Sequence, residues 1–308
     1  MLGSLFSGKL FFALIFFGCL GYVRPAKGQE KSVKPDSLHT PKKNIIWGAT
    51  GLSLAYGTSL YILSQTWYEQ SNKTSFHFFN DIREWQQLDK AGHAWGSFHE
   101  SRLGVNALRS AGVPAKKAII YGGLLGFVLQ SPIEWLDGYA PDYGASVSDL
   151  GANALGSVAV ITQELVWGQL RLQPKYSFHQ SGLASRRPQV LGRTTLEQAL
   201  KDYNGQTYWL AADVSAFLPQ NSKYPPWLNL AVGYGGEQML YGEPATNRQN
   251  GFQAYRQYYV TLDLNLMRIK TRSKFLRTAF YVLSSIHLPA PAVEYNQKQG
   301  FKFYPVYF

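Results

Sequence analysis

Gln257-Tyr258-Tyr259-Val260-Thr261-Leu262-Asp263-Leu264-Asn265-Leu266 is the stretch on which the fold turns. Tyr258, Val260, Leu262, Leu264 and Leu266 hold one set of alternate positions; Gln257, Tyr259, Thr261, Asp263 and Asn265 hold the other. A period of two is that of an extended strand, because successive side chains leave opposite faces of a pleated sheet. The same alternation runs through Tyr208, Leu210, Ala212, Val214 and Ala216, and again through Leu228, Leu230, Val232 and Tyr234. Nearer the end, Ala292 to Tyr295 and Phe301 to Tyr304 flank Asn296-Gln297-Lys298-Gln299-Gly300, which has hairpin composition. These segments predict about five half-buried antiparallel strands. Long strands rich in aromatic residues, with Phe308 after the last of them, are features of outer-membrane barrels, but about eight strands is the usual minimum. The expectation is therefore a small antiparallel sheet packed on helices and able to touch a membrane surface. Thr271 to Ile286 interrupts the strands as a basic amphipathic helix, suited to a headgroup layer or to covering the sheet. Pro174 to Pro188 reads as irregular, and Thr194-x-x-Glu197 as a capping box opening a short helix.

Upstream of the sheet the period changes. Ile45 to Trp67 carries no formal charge and, at about 1.5 Å per residue, is long enough to cross a hydrocarbon core. Trp47, Trp67 and Tyr68 lie near its ends, where interfacial aromatics belong. A second helix is expected from near Asp81 to about Ser110, stopped by Gly112-Val113-Pro114. A third runs from Ala118 to about Trp135 and contains Gly122-x-x-x-Gly126, a face for close helix packing. A loop dense in turn residues, Asp137 to Gly144, leads to a fourth helix from about Val147 to Trp167, with Ser146 or Ser148 as its cap.

At the start of the chain, Lys9 precedes the apolar run Leu10 to Leu20, and Ala26-Lys27-Gly28 is a small-x-small cleavage site. This is the layout of a secretory signal cleaved after Gly28; the alternatives are lipidation at Cys19, preceded by Gly18, and an uncleaved anchor. Cys19 is the one cysteine of the 308 residues, so a disulfide within the chain is excluded, as is a multi-cysteine metal site. Charged residues make up 16%, low for a water-soluble domain, while the formal charge is +11, which favours anionic partners such as lipid headgroups. Nucleic acid is not expected as a partner, because the chain reads as exported and carries no nucleic-acid-binding motif. A mean hydropathy of −0.18 argues against a chain built mainly of membrane-spanning helices.

The reading is an α+β protein: a membrane-associated helical bundle of about four helices, then a small antiparallel β-sheet with an amphipathic helix. Residues 1–28 form the signal, 29–44 a flexible linker, 45–172 the helical domain and 173–308 the β-rich region.

One polar constellation stands out in the helical domain. Asp89 and His93 share a helical face at i,i+4, with Lys90 beside them at i,i+3 from His93. Glu134 and Asp137 stand at i,i+3 on the third helix, and Asp149 and Asn153 at i,i+4 on the fourth. Carboxylates on apolar helices are costly unless they pair. The least costly arrangement sets Lys90 and His93 against Glu134 and Asp149, with Asn153 bridging. Such a network suits a ligand site, a proton shuttle or a structural clasp. No His-Glu-x-x-His or i,i+4 histidine pair is present, so no metal is assigned, and no cofactor is implied.

Asp89-Lys90-Ala91-Gly92-His93, Tyr121-Gly122-Gly123, Pro132-Ile133-Glu134, Asp137-Gly138 and Ser148-Asp149-Leu150-Gly151-Ala152-Asn153-Ala154-Leu155-Gly156 together resemble the YfiM-like family of periplasmic lipoproteins, whose function is unknown. The same blocks are similar to those of VanZ-like membrane proteins, with Asp-Lys-x-x-His, an acidic helix end and Asp-Leu-x-x-Asn-x-x-Gly. Asp137 departs from the Gln usual there. The resemblance implies a periplasm-facing, outer-membrane-associated envelope protein with membrane lipid as its partner. The expected activity is binding of a lipid or envelope-precursor headgroup through Asp89, Lys90, His93, Glu134, Asp137, Asp149 and Asn153. A hydrolase or transferase acting on an envelope lipid is the second reading, and a scaffold without a small ligand the third.

Overall fold

The computed structural model describes residues 56, 58, 61, 74–141 and 144–308. The signal, the linker and all but three positions of the first apolar helix lie outside the described residues. Tyr56, Thr58 and Tyr61 are helical, and the Tyr56 hydroxyl donates to the Leu129 carbonyl.

Four helices form the described bundle: α1 (Leu88–Ser110), α2 (Ala115–Gly123), α3 (Leu125–Asp137) and α4 (Val147–Trp167). The expected third helix is two, meeting at Leu124, and together they make 23 residues long and apolar enough to cross a membrane by length and composition. They pack against α1 and α4. The α4 helix opens on Ser146, whose hydroxyl accepts from Asp149 N–H, and closes on Gly168 at φ +65°. The Gly122-x-x-x-Gly126 face meets α1 as its small residues imply. A Cβ on Gly122 would lie 2.4 Å from Val105 N, and one on Gly126 only 2.0 Å from the Ser97 carbonyl oxygen. The obstacle at Gly126 is backbone, which cannot rotate away. Gly126→Ala is therefore expected to destabilise by about 3 kcal/mol in urea unfolding of the detergent-solubilised protein; an unchanged midpoint would show that the helices part freely.

The α1 helix starts later than Asp81. Trp85, Gln86 and Gln87 precede it with φ of 48°, 53° and 63°, a left-handed turn of three non-glycine residues. Each costs roughly 1–2 kcal/mol and must be held from outside. The Trp85 ring packs on Tyr203, Tyr234 OH donates to the Gln86 carbonyl, and Arg256 donates to Gln87 Oε1.

The sheet has six strands: β1 (Leu172–Phe178), β2 (Gln206–Ala212), β3 (Leu228–Glu237), β4 (Tyr255–Leu264), β5 (Ala290–Asn296) and β6 (Gly300–Tyr307). They pair antiparallel in sequence order, an up-and-down meander. The α+β class expected from the sequence is the one observed. The additional strand is β1, hidden in a stretch whose Pro174 signals irregular chain. Proline is tolerated there because β1 is the end strand of the ladder. Its free edge is covered: His99 hydrogen-bonds to the Pro174 carbonyl, and residues 285–287 run parallel to it through Tyr176 N to Ser285 O and His287 N to Tyr176 O. β2 stops at Ala212 because Asp213 caps the turn Val214–Phe217. The hairpin at 296–300 forms as expected, with Asn296 Oδ1 accepting from Lys298 and Gln299 N–H and Gly300 at φ +73°.

The sheet curls. Tyr307, on β6, hydrogen-bonds to Thr207 on β2 and to Tyr259 on β4. The enclosed face carries Lys175, Thr207, Asn229, Thr261, Asp263 and Glu294, all buried. The outward face carries Leu210, Val232, Val260, Leu262 and Val293, all exposed. The enclosed face also holds the buried cluster of Trp209, Ala211, Ala231, Tyr259, Ala292 and Tyr307, so the interior is mixed polar and aromatic while the outward face is apolar. The helices beside the strands include α5 (Thr195–Lys201), capped by Thr194, and α6 (Lys274–Leu283), inside the span expected to be amphipathic. An apolar cluster of Trp85, Leu88, Tyr203, Tyr208, Met239 and Leu240 joins the start of α1 to the sheet.

Candidate functional site

The first turn of α1, the end of α3 and the first turn of α4 converge. Asp89 and Lys90 open α1, and His93 follows one turn on. Glu134 comes from α3; Asp149 and Asn153 come from α4, one turn apart. Lys90 Nζ lies 2.6 Å from Asp149 Oδ1, 2.6 Å from Asp81 Oδ2 and 3.2 Å from Asp89 Oδ2. His93 Nδ1 is 3.1 Å from Asn153 Oδ1 and 3.8 Å from Glu134 Oε1. His93 Nε2 is 3.9 Å from Asp89 Oδ1 and 3.8 Å from Asp149 Oδ1. The spacing read from the sequence thus corresponds to one spatial cluster. Asp137, the last residue of α3, reaches it through its charge, which acts on Glu134.

Two members had no sequence signal. Asp81 lies before the left-handed turn, and the turn brings it back onto Lys90; Ser146 and Ser148 both donate to its Oδ1. Tyr203 arrives from the sheet side and donates its hydroxyl to Asp89 Oδ1. Its partner is 114 residues away, so no local pattern could reveal it.

The electrostatics follow from burial and mutual contact. Burial opposes the charged form of His93, but Asp149, Asp89 and Glu134 outweigh it and hold its pKa up at about 9. Burial works against Lys90 as well, and Asp89 and Asp149 more than compensate, so it stays charged. Burial raises Asp149 to about 6, with His93 pulling the other way. Glu134 is pushed well above the ordinary carboxylate range by burial, reinforced by Asp149 and Asp137 against the pull of His93. Burial would raise Asp81 too, but hydrogen bonds from Lys90, Ser146 and Ser148 bring it below its usual value.

The imidazole gives a pH test with a definite sign. A histidine raised from about 6.5 to about 9 lends stability that is complete below the lower value and lost as pH rises through the upper. The shift corresponds to roughly 3 kcal/mol. Between pH 6.5 and 9.5 the wild type is expected to lose roughly that much more stability than His93→Gln in urea unfolding. Parallel pH slopes would mean that the imidazole is not held protonated.

Asp89, His93 and Asp149 each offer one atom within 4.8 Å of the others, a spacing compatible with a divalent cation. The Lys90 ammonium already stands against Asp149, and the surrounding carboxylates favour the protonated form of His93, so a metal would compete with both. The arrangement is equally unsuited to phosphate. The one lysine is in contact with three carboxylates, and Glu134 adds a fourth acidic group beside His93 and Asn153.

Fold and site define an α+β protein with a partly buried, carboxylate-rich ionic cluster in its helical half. Residues 77–163, which carry Asp81 through Asn153, are similar to a family described as "Predicted periplasmic lipoprotein (DUF2279)". That similarity supports a periplasmic, cell-envelope location for a protein of unknown activity. Comparison with characterised proteins and with solved structures gives no match.

Proposed function

We propose that this is a membrane-associated envelope protein whose cluster holds a hydroxyl of an envelope lipid or of a lipid-borne glycan precursor. The observation that carries the reading is the spacing around His93 Nε2. Asp89 Oδ1 and Asp149 Oδ1 stand 3.9 and 3.8 Å from it, beyond hydrogen-bond range yet close enough for one oxygen atom to reach all three. Beside them Asn153 Nδ2 is buried with no partner among the described residues. The excess of carboxylates favours a donor group over an anion. Exposed apolar side chains on the outward faces of α2, α3 and α4, including Tyr121, Trp135, Leu155 and Val166, support membrane association. The outer-membrane setting expected from the sequence belongs to the same proposal. The lipoprotein description of the matched family supports lipid attachment at Cys19 in place of cleavage after Gly28.

Native mass spectrometry of the full chain after mild detergent extraction tests this. The wild type is expected to carry a lipid or lipid-linked glycan, and His93→Gln at least about tenfold less, the loss expected for one charge-assisted hydrogen bond. The same spectrum reads the mature terminus. Equal occupancy in both proteins, or none in either, would leave a clasp without a ligand. Cleaved product released by the wild type alone would replace binding with hydrolysis, His93 being held in the form of a general acid.

A further inference from the structure

The apolar outward face of the sheet remains unexplained by the cluster. Strand register places Leu210, Val232, Val260, Val293 and Phe303 as successive partners across β2 to β6. They form one transverse apolar row, with Val232 52%, Val260 51% and Phe303 64% exposed. Two residues along, on the same face, lies an aromatic row of which Tyr258, Tyr295 and Phe301 are exposed, while Tyr234 and Tyr208 at its other end pass under the start of α1 into the apolar cluster. In the other direction Leu230 pairs with Leu262, and Leu228 with Leu264. The four rows span about 20 Å at the rise of a β-strand, near the height of the apolar band on outer-membrane barrels. An aromatic row bordering an aliphatic band is the pattern of a membrane–water interface.

Charge says what covers the band. The segment after β4, Asn265 to Ile286, contains Lys270, Arg272, Lys274 and Arg277 and no acidic residue, besides Arg268, which is paired with Asp213. It includes α6, which leaves Phe275 78% and Leu276 41% exposed beside those cations. Apolar surface edged by cations complements hydrocarbon edged by anionic headgroups. A second copy would bring the same cations rather than their complement. We infer that the outward face of β2 to β6 is seated in the hydrocarbon of a lipid bilayer, with α6 and its cations against anionic headgroups. Burial of Asp263, Asn229 and Glu294 on the inward face is then the expected counterpart, because lipid, unlike water, rewards an apolar exterior.

The inference rests on the membrane association proposed above and adds the surface that makes it. Spin labels at Val260→Cys, Phe303→Cys and Arg272→Cys, in the full chain with Cys19→Ser to remove any acyl anchor, separate the two ideas. The protein is mixed with vesicles of phosphatidylethanolamine and phosphatidylglycerol and floated. Labels at 260 and 303 are expected to collide with oxygen rather than with a water-soluble nickel complex, while the label at 272 stays open to nickel. Flotation on neutral phosphatidylcholine is expected to fall at least tenfold. Flotation with 260 and 303 as nickel-accessible as 272 overturns the sheet face and leaves membrane association standing. Labels closed to both reagents and dipolar-coupled to each other overturn it in favour of a second copy. Absence of flotation on the anionic vesicles overturns both.

Discussion

Lys90→Met is expected to cost about 3–5 kcal/mol of stability, read by urea unfolding in mild detergent at pH 7. Lys90 Nζ is within 3.2 Å of three carboxylates, and its side chain is 13% exposed. Methionine keeps most of the volume and removes the charge, so Asp81, Asp89 and Asp149 are left facing one another with His93 as the only cation. Such a site relieves itself by taking up a proton. Asp149, already lifted to about 6 by burial, is the group positioned to do so. The deficit of the variant should therefore shrink as pH falls from 7 to 5, and adding Asp149→Asn to Lys90→Met should recover part of it. A loss below about 1 kcal/mol would mean that the cluster is solvated and its charges are independent.

The second large effect lies in the sheet interior. Lys175 Nζ contacts Asp263 Oδ2 at 2.7 Å and the Leu264 carbonyl at 2.9 Å, and the two charged side chains are 3% and 1% exposed. His287 Nδ1 holds the other Asp263 oxygen at 3.0 Å and stacks on Trp209. Lys175→Met removes the cation from a carboxylate that water cannot reach, and a loss of about 3–5 kcal/mol is expected. Pairing it with Asp263→Leu removes the stranded charge and should restore much of the stability, because breaking an interior ion pair costs more than replacing it whole. If the double variant is no better than the single one, the packing of the lysine stem, and not its charge, holds the strands together.

What the sequence discloses follows the range of each interaction. Asp89 with His93, and Asp149 with Asn153, are one helical turn apart, so their shared faces are legible in the residue numbers alone. The alternation of Tyr258 to Leu264 gives a strand for the same reason. It does not say which set faces inward: Tyr259 and Val260 are both apolar enough for a core, and only the partners of Asp263, from 24 to 88 residues away, decide it. β1 was illegible because its inward residues, Lys175 and Ser177, look like loop until Asp263 and Trp209 are beside them. Asp81 and Tyr203 were missed on the same principle, one placed by a left-handed turn with no glycine to announce it, the other by a strand assembly far downstream.

That turn has a consequence for the order of events in building the molecule. Residues 85–87 hold a conformation that their own side chains disfavour, and the fastenings come from Tyr234 and Arg256, 148 and 169 residues later than their partners. A chain made from its beginning reaches Asp81, Asp89 and Lys90 long before those fastenings exist. The ionic cluster is therefore a joint closed from a distance: the turn that sets Asp81 against Lys90 takes its fastenings from the third and fourth strands, which follow the whole helical half in the chain.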